Sequence, residues 1–258
     1  MNRHRVIEAV NPLGWLVVVL VIVLWQVLID TKVIDFNYMP PPTEIASAFS
    51  ALVSSGEMGE AVWHTLTVTL VASAIGIGVG VIYGAALGLV DAVRSYSMGT
   101  VDFLRTVPVV ALMPVALLVW GASSKTEIIV ASYAATWPLV INTMAGVQGV
   151  HPVKSDVARS FRLSRVETLR KIVLPVATPA ILVGARLSIV TALVVAIVAE
   201  MLVNPEGVGY GLIFGMQSLQ PEEMWAYAVV AGIMGYVLNA VLVYGVRRGG
   251  ANMGVAEL

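Results

Sequence analysis

Cysteine is absent from the 258 residues, which excludes disulfides, thiolate-ligated zinc, iron–sulfur clusters and thiol catalysis. Charge is scarce as well. Asp, Glu, Lys and Arg together make up 12% of the chain, against about 25% in a soluble globular domain, so a soluble fold of this length would lack side chains to cover its surface. Histidine occurs only as His4, His64 and His151, which lie near different membrane faces and outside any H-E-x-x-H or G-x-S-x-G arrangement. Neither metal nor serine catalysis is indicated, and no catalytic or metal-ligating set is assigned. There is no G-x-x-x-x-G-K-[ST] phosphate loop, so no segment is equipped to cradle ATP. A formal net charge of -1 gives no reason to expect a nucleic-acid partner.

What remains is apolar: 58% hydrophobic residues and a mean hydropathy of +0.88. A helix needs roughly 20 residues to cross about 30 Å of hydrocarbon. By that measure the apolar runs predict an all-α membrane protein with six transmembrane helices, at residues 13–29, 61–90, 101–120, 126–148, 176–203 and 224–246. If the spans alternate, eleven basic residues (Arg3, Arg5, Arg94, Lys154, Arg159, Arg162, Arg165, Arg170, Lys171, Arg247 and Arg248) fall on one side and only Lys32 and Lys125 on the other. The positive-inside rule then places both termini in the cytoplasm. The chain divides into a tail, first anchor and external loop (1–60), a five-helix core (61–250) and a cytoplasmic C-terminal tail (251–258).

Gly76, Gly80, Gly84 and Gly88 repeat every four residues in the second span, which puts them on one helix face where another backbone can approach closely. Pro108, Pro114 and Pro138 remove backbone donors in the third and fourth spans and are expected to bend or break them. Between spans four and five, residues 151–175 stay out of the membrane and hold six basic side chains. Val153, Val157 and Phe161 recur at four-residue spacing beside Lys154 and Arg159, the pattern of a short amphipathic helix that needs a docking surface. Anionic lipid headgroups are the alternative surface. Ser164-Arg165-Val166-Glu167 matches a capping box, opening a second helix expected to end at Leu174 before Pro175.

On these residues the chain resembles the membrane subunits of binding-protein-dependent ATP-binding-cassette (ABC) importers, whose cytoplasmic loop carries Glu-Ala-Ala, three residues, Gly, nine residues and Ile-x-Leu-Pro. Here Asp156-Val157-Ala158 stand at the triplet, Arg162 at the glycine, and Ile172-Val173-Leu174-Pro175 at the closing tetrad, with the spacing kept. Arg162 is the departure, because glycine enters left-handed backbone conformations freely and arginine resists them. The resemblance extends to Met39-Pro40-Pro41-Pro42-Thr43-Glu44, Leu104-Arg105-Thr106-Val107-Pro108, Trp137-Pro138 with Asn142, Ala199-Glu200 and Gly207-Val208-Gly209-Tyr210-Gly211. It is nearest to the branch that imports nitrate, taurine, alkanesulfonates, bicarbonate or pyrimidine precursors.

The resemblance implies a type I ABC importer permease fold in a bacterial inner membrane. It also implies a homodimer enclosing the pathway for a small anionic or polar solute, an external solute-binding protein, and two cytoplasmic ATPase subunits that hold ATP and Mg. No cofactor is expected on this chain. The coupling helix to the ATPase would comprise Val153, Asp156, Val157, Ala158, Arg159, Ser160, Phe161 and Arg162. Polar residues within membrane spans are the first candidates for the pathway: Asn142 and Glu200, then Arg186, which alternatively snorkels or pairs with Asp102. Arg105 is read as an interface residue and His64 as structural. The glycine-rich segment 204–223, with Leu212 and Phe214, is either an outer gate or a plain external loop. The rival class, an ion-coupled secondary transporter, would show internal repeats and several midplane charges, which the sequence lacks.

Overall fold

The computed structural model describes residues 12–34, 36–151 and 160–250. Among these, nine helices carry the chain: α1 (Pro12–Asp30), α2 (Pro42–Ser55), α3 (Glu57–Leu89), α4 (Asp91–Thr106), α5 (Met113–Trp120), α6 (Ser124–Gln148), α7 (Val166–Leu202), α8 (Gly207–Gln217) and α9 (Pro221–Gly250). Helices α3, α6, α7 and α9 are long and apolar enough to cross a membrane. The pair α4 and α5 makes a fifth span if counted together, and α1 is shorter and mostly exposed.

Three helices, α3, α6 and α7, form the centre, and small residues let them approach closely. A Cβ built on Gly76, Gly80, Gly84 or Gly88 would fall 2.6–2.8 Å from Ala135, Leu139, Val140 and Val147 on α6. Gly184 of α7 lies equally tight against Leu139 and Asn142, and Gly146 of α6 against Ala180. Around them Ala72, Ala131, Ala134, Ala135, Ala192 and Ala199 build one buried cluster. In hydrocarbon, where apolar surface gains nothing by leaving lipid, such backbone-to-backbone packing is what holds helices together. A second cluster joins α2, α3, α8 and α9 through Leu52, Met58, Val208 and Tyr227. Helix α1 joins this half of the molecule through Trp25, edge-on to Trp225 at 5.2 Å, and through Gln26, which accepts from the Thr43 backbone N–H.

The structure departs from the sequence reading in three places. Residues 101–120 are not one helix: α4 ends at Thr106, the chain turns at Val107-Pro108, and a short 3-10 turn (Val109–Leu112) leads into α5, with an 81° bend between the two arms. Pro108 has no N–H to continue the ladder, and Val109, Met113 and Leu117 bury themselves against α6 and α7 instead of following the axis of α4. Pro175 does not end a helix. The chain runs unbroken from Val166 to Leu202 because Leu169–Val173 widens into a π turn, with the Leu174 N–H reaching back to the Leu169 carbonyl. A widened turn relieves the clash of a proline ring with the preceding carbonyls. Finally, segment 204–223 contains a packed helix, α8, wedged among α3, α7 and α9.

Candidate functional site

The segment that the sequence suggests as a coupling helix is described only at its end. Val153, Asp156, Val157, Ala158 and Arg159 lie outside the described residues. Ser160 is helical, and Phe161 follows in a turn with 75% of its surface exposed. Arg162 then takes a left-handed conformation, φ 51°, at a cost of roughly 1 kcal/mol for a residue with a Cβ. The backbone is therefore in the region that glycine favours, and the departure from the family pattern is one of residue and not of turn. Next comes a formed capping box: the Ser164 N–H donates to Glu167 Oε2 at 3.0 Å, the Glu167 N–H donates to Ser164 Oγ at 3.3 Å, and Lys171 Nζ holds the other carboxylate oxygen at 3.1 Å. Ser164→Ala removes the acceptor for the Glu167 N–H. Amide exchange at Val166–Thr168, followed by mass spectrometry, is expected to speed up about five-fold. Of the closing tetrad, Val173 is buried against Val147 and Ala177, which roots this segment in the bundle.

A cavity of about 470 Å³ opens where α4 breaks toward α5. Arg105, Trp137, Asn142 and Thr191 line it, with Val109, Ala134 and Val195 as apolar wall. Tyr133 fixes one side by donating its hydroxyl to the Leu104 carbonyl at 2.6 Å, and its ring stands edge-on to Trp137 at 5.5 Å. Arg105 gives Nε to Asp102 at 2.9 Å and stays half-exposed, leaving its terminal nitrogens for another acceptor. Asn142 donates to the Pro138 carbonyl at 2.8 Å. The Trp137 indole N–H is buried without a partner. The cavity thus sets the Arg105 guanidinium and the polar side chains of Asn142 and Thr191 on an apolar wall, the pattern of a small-solute site.

The other pathway candidates lie elsewhere. Arg186 donates to Asn239 of α9 at 2.5 Å, while Asp102 pairs with Arg105, so an Arg186–Asp102 pair does not form. Leu212 packs into the cluster around Tyr227, and Phe214, stacked near Tyr210, lines a second cleft of about 610 Å³. Glu200 lines neither cavity. It is buried beneath the start of α8, where the Gly209 N–H donates to its Oε2 at 2.8 Å and the Val208 N–H donates to Thr65 Oγ1 at 2.9 Å. The glycines at the start of α8 follow from that contact. Gly207, at φ 91°, has the Glu200 carboxyl where a Cβ would stand, and Gly209 has the Ile197 carbonyl there. His64, read from sequence as solitary, meets Glu127 at 2.9 Å through Nε2 and Glu206 at 3.0 Å through Nδ1. Sequence reasoning passed over Glu127, although a carboxylate inside an otherwise apolar span was the signal to find it by. It also passed over Arg105, Trp137 and Thr191 as cavity residues.

Comparison with known proteins places this arrangement. A family described as "Binding-protein-dependent transport system inner membrane component" matches residues 76–248. The putative aliphatic sulfonates transport permease protein SsuC of Bacillus subtilis (strain 168) is 29% identical over 227 residues, covering 88% of this chain and 82% of that protein. The nitrate import permease protein NrtB of Leptolyngbya laminosa is 32% identical over 173 residues, 66% of this chain and 62% of that protein. The taurine transport system permease protein TauC of Escherichia coli (strain K12) is 25% identical over 232 residues, 88% and 84%. Among solved structures, a chain of the inward-facing MetNI methionine ABC transporter superposes with a TM-score of 0.66 at 18% identity, covering 76% of this chain and 97% of that one. At that identity the likeness speaks for the fold alone.

Proposed function

Since this chain belongs to the family of inner membrane components of binding-protein-dependent transport systems, we propose that two copies of it enclose the translocation pathway of an ATP-driven importer for a small anionic or polar solute. The permease role itself follows from the family and from relatives named as sulfonate, nitrate and taurine permeases. The cavity beside Arg105 carries the substrate class. A half-exposed guanidinium with free donors, next to Asn142 and on an apolar wall, suits a planar or tetrahedral oxyanion better than a cation. ATP and Mg belong on two separate ATPase subunits, which dock on the segment ending at Phe161 on the cytoplasmic face, and a binding protein delivers solute at the opposite face. Closure of the ATPase dimer then moves the docked segment, and Val173 passes that motion into the bundle.

The test is co-purification followed by reconstitution. Expressed with its neighbouring genes, the chain is expected to bring down an ATPase subunit, and proteoliposomes of the complex are expected to take up oxyanion only with ATP and binding protein. Uptake driven by an ion gradient in the absence of ATP would replace this reading with that of a secondary carrier.

A further inference from the structure

At the end of the bundle away from the capping box, three helices bring together ionisable groups for which import has no evident use. His64 of α3, Glu127 of α6 and Glu200 of α7 each place one ligating atom within 4.8 Å of the other two. Glu127 is 0% and Glu200 1% exposed, and Oε1 of each is buried without a hydrogen-bond partner. Two buried carboxylates in one site repel each other, and the oxygen of each that has no donor is left unstabilised, so the arrangement favours a cation among them.

The histidine points to the kind of cation. Its Nδ1 stands 3.0 Å from Glu206 Oε2, a contact through which a carboxylate holds the ring in one orientation. Metal-bound histidines are held in this way by a partner outside the ligand set. Nε2 faces Glu127 Oε2 at 2.9 Å, a contact that either a proton or a metal cation between the two atoms makes attractive. A tetrahedral zinc ion with bonds of about 2.0–2.2 Å separates its ligands by roughly 3.4 Å. The three candidate ligand atoms lie within 4.8 Å of one another, close to that spacing. Asn204, whose Nδ2 is 3.5 Å from Nε2, borders the same point. An approach exists too: the cleft of about 610 Å³ that reaches His64 is lined by Glu57, Glu60, Glu206 and Glu223, a rim that gathers cations.

We infer that His64 Nε2 and one carboxylate oxygen each from Glu127 and Glu200 form a binding site for a divalent transition metal of the zinc type, with Glu206 positioning the histidine and a fourth coordination position open to water from the cleft. Mixed nitrogen and oxygen donors suit this class of ion over calcium or magnesium. The bound ion would tie α3, α6 and α7 together. Through the Gly209 N–H on Glu200 it would also fix the start of α8.

The experiment uses the full chain, purified without a polyhistidine tag in whatever complex it forms, stripped with chelator and equilibrated with Zn²⁺. Elemental analysis is expected to find equimolar zinc, and Co²⁺ substitution is expected to give the visible absorption of a four- or five-coordinate site. Glu206→Gln keeps all three ligands and is expected to weaken zinc binding roughly 10- to 100-fold. Glu127→Gln is expected to abolish stoichiometric binding. Size-exclusion profiles identify any variant that fails to fold, and the wild-type and Glu206→Gln measurements stand without it. A wild-type chain that stays metal-free in excess zinc assigns the charge to a shared proton and overturns the proposal. So does zinc bound equally well by wild type, Glu206→Gln and Glu127→Gln.

Discussion

Replacing Phe161 with alanine is expected to abolish ATP-driven uptake while leaving the amount of chain in the membrane unchanged. The ring is 75% exposed and follows directly on the helical Ser160, so its removal opens no cavity in the bundle. Surface truncations of this kind change the stability of the chain itself by less than about 0.5 kcal/mol. In an interface the same ring becomes an anchor, and losing a buried aromatic anchor costs about 2 kcal/mol or more, roughly a 30-fold weaker complex. On the proposed coupling role, transport is expected to suffer more than docking, because a lever that slips transmits no motion. The measurement pairs ATPase co-purification with uptake in proteoliposomes. Wild-type docking and wild-type uptake in the variant would separate this turn from the ATPase contact.

The second large effect lies in the glycine face of α3. Gly84→Leu is expected to lower the melting midpoint of the purified protein sharply, through a loss of about 3 kcal/mol or more. A Cβ at this position would stand 2.6 Å from the Val140 carbonyl oxygen and 2.8 Å from Thr143 Cβ. The obstacle is backbone, which no change of rotamer removes, so α3 and α6 must move apart along a seam that Gly76, Gly80 and Gly88 share. Overpacking at one site costs typically 1–3 kcal/mol, and separating a common seam adds lost contacts at its neighbours. Gly78→Leu is the control. It changes the same residue type on the same helix, yet nothing lies within 4 Å of its Cβ position, and it is expected to melt as wild type does. Equal melting of the two variants would remove the glycine seam as the source of the packing.

The contrast between Gly78 and Gly84 also shows where sequence reading succeeds. A four-residue repeat is a property of one helix, and it singles out the face that packs without any knowledge of the partner. Ser164 and Glu167 were legible for the same reason, since both halves of a capping box lie within a single turn. Pro108 announced a break, although its size did not follow from the residue: the 81° bend is set by where Val109 and Met113 find a surface to bury against. Pro175 gave the opposite lesson, because the five-residue π turn Leu169–Val173 absorbs a proline that would otherwise end a helix.

By itself, then, the amino-acid order determined the class of the protein, the apolar character of its long helices, the packing face of α3 and the capped turn after Phe161, all of them consequences of composition or of spacing within a few residues. Only the tertiary structure decided that Arg105 shares a cavity with Asn142, that Arg186 turns to Asn239, and that His64 meets a carboxylate 63 positions away. Such meetings depend on how separate helices cross, and crossing is governed by close contacts such as Gly84 on Val140 and Gly184 on Asn142. A periodic pattern along one helix states that a contact face exists, but holds no information about which side chain from a distant helix will be set opposite it.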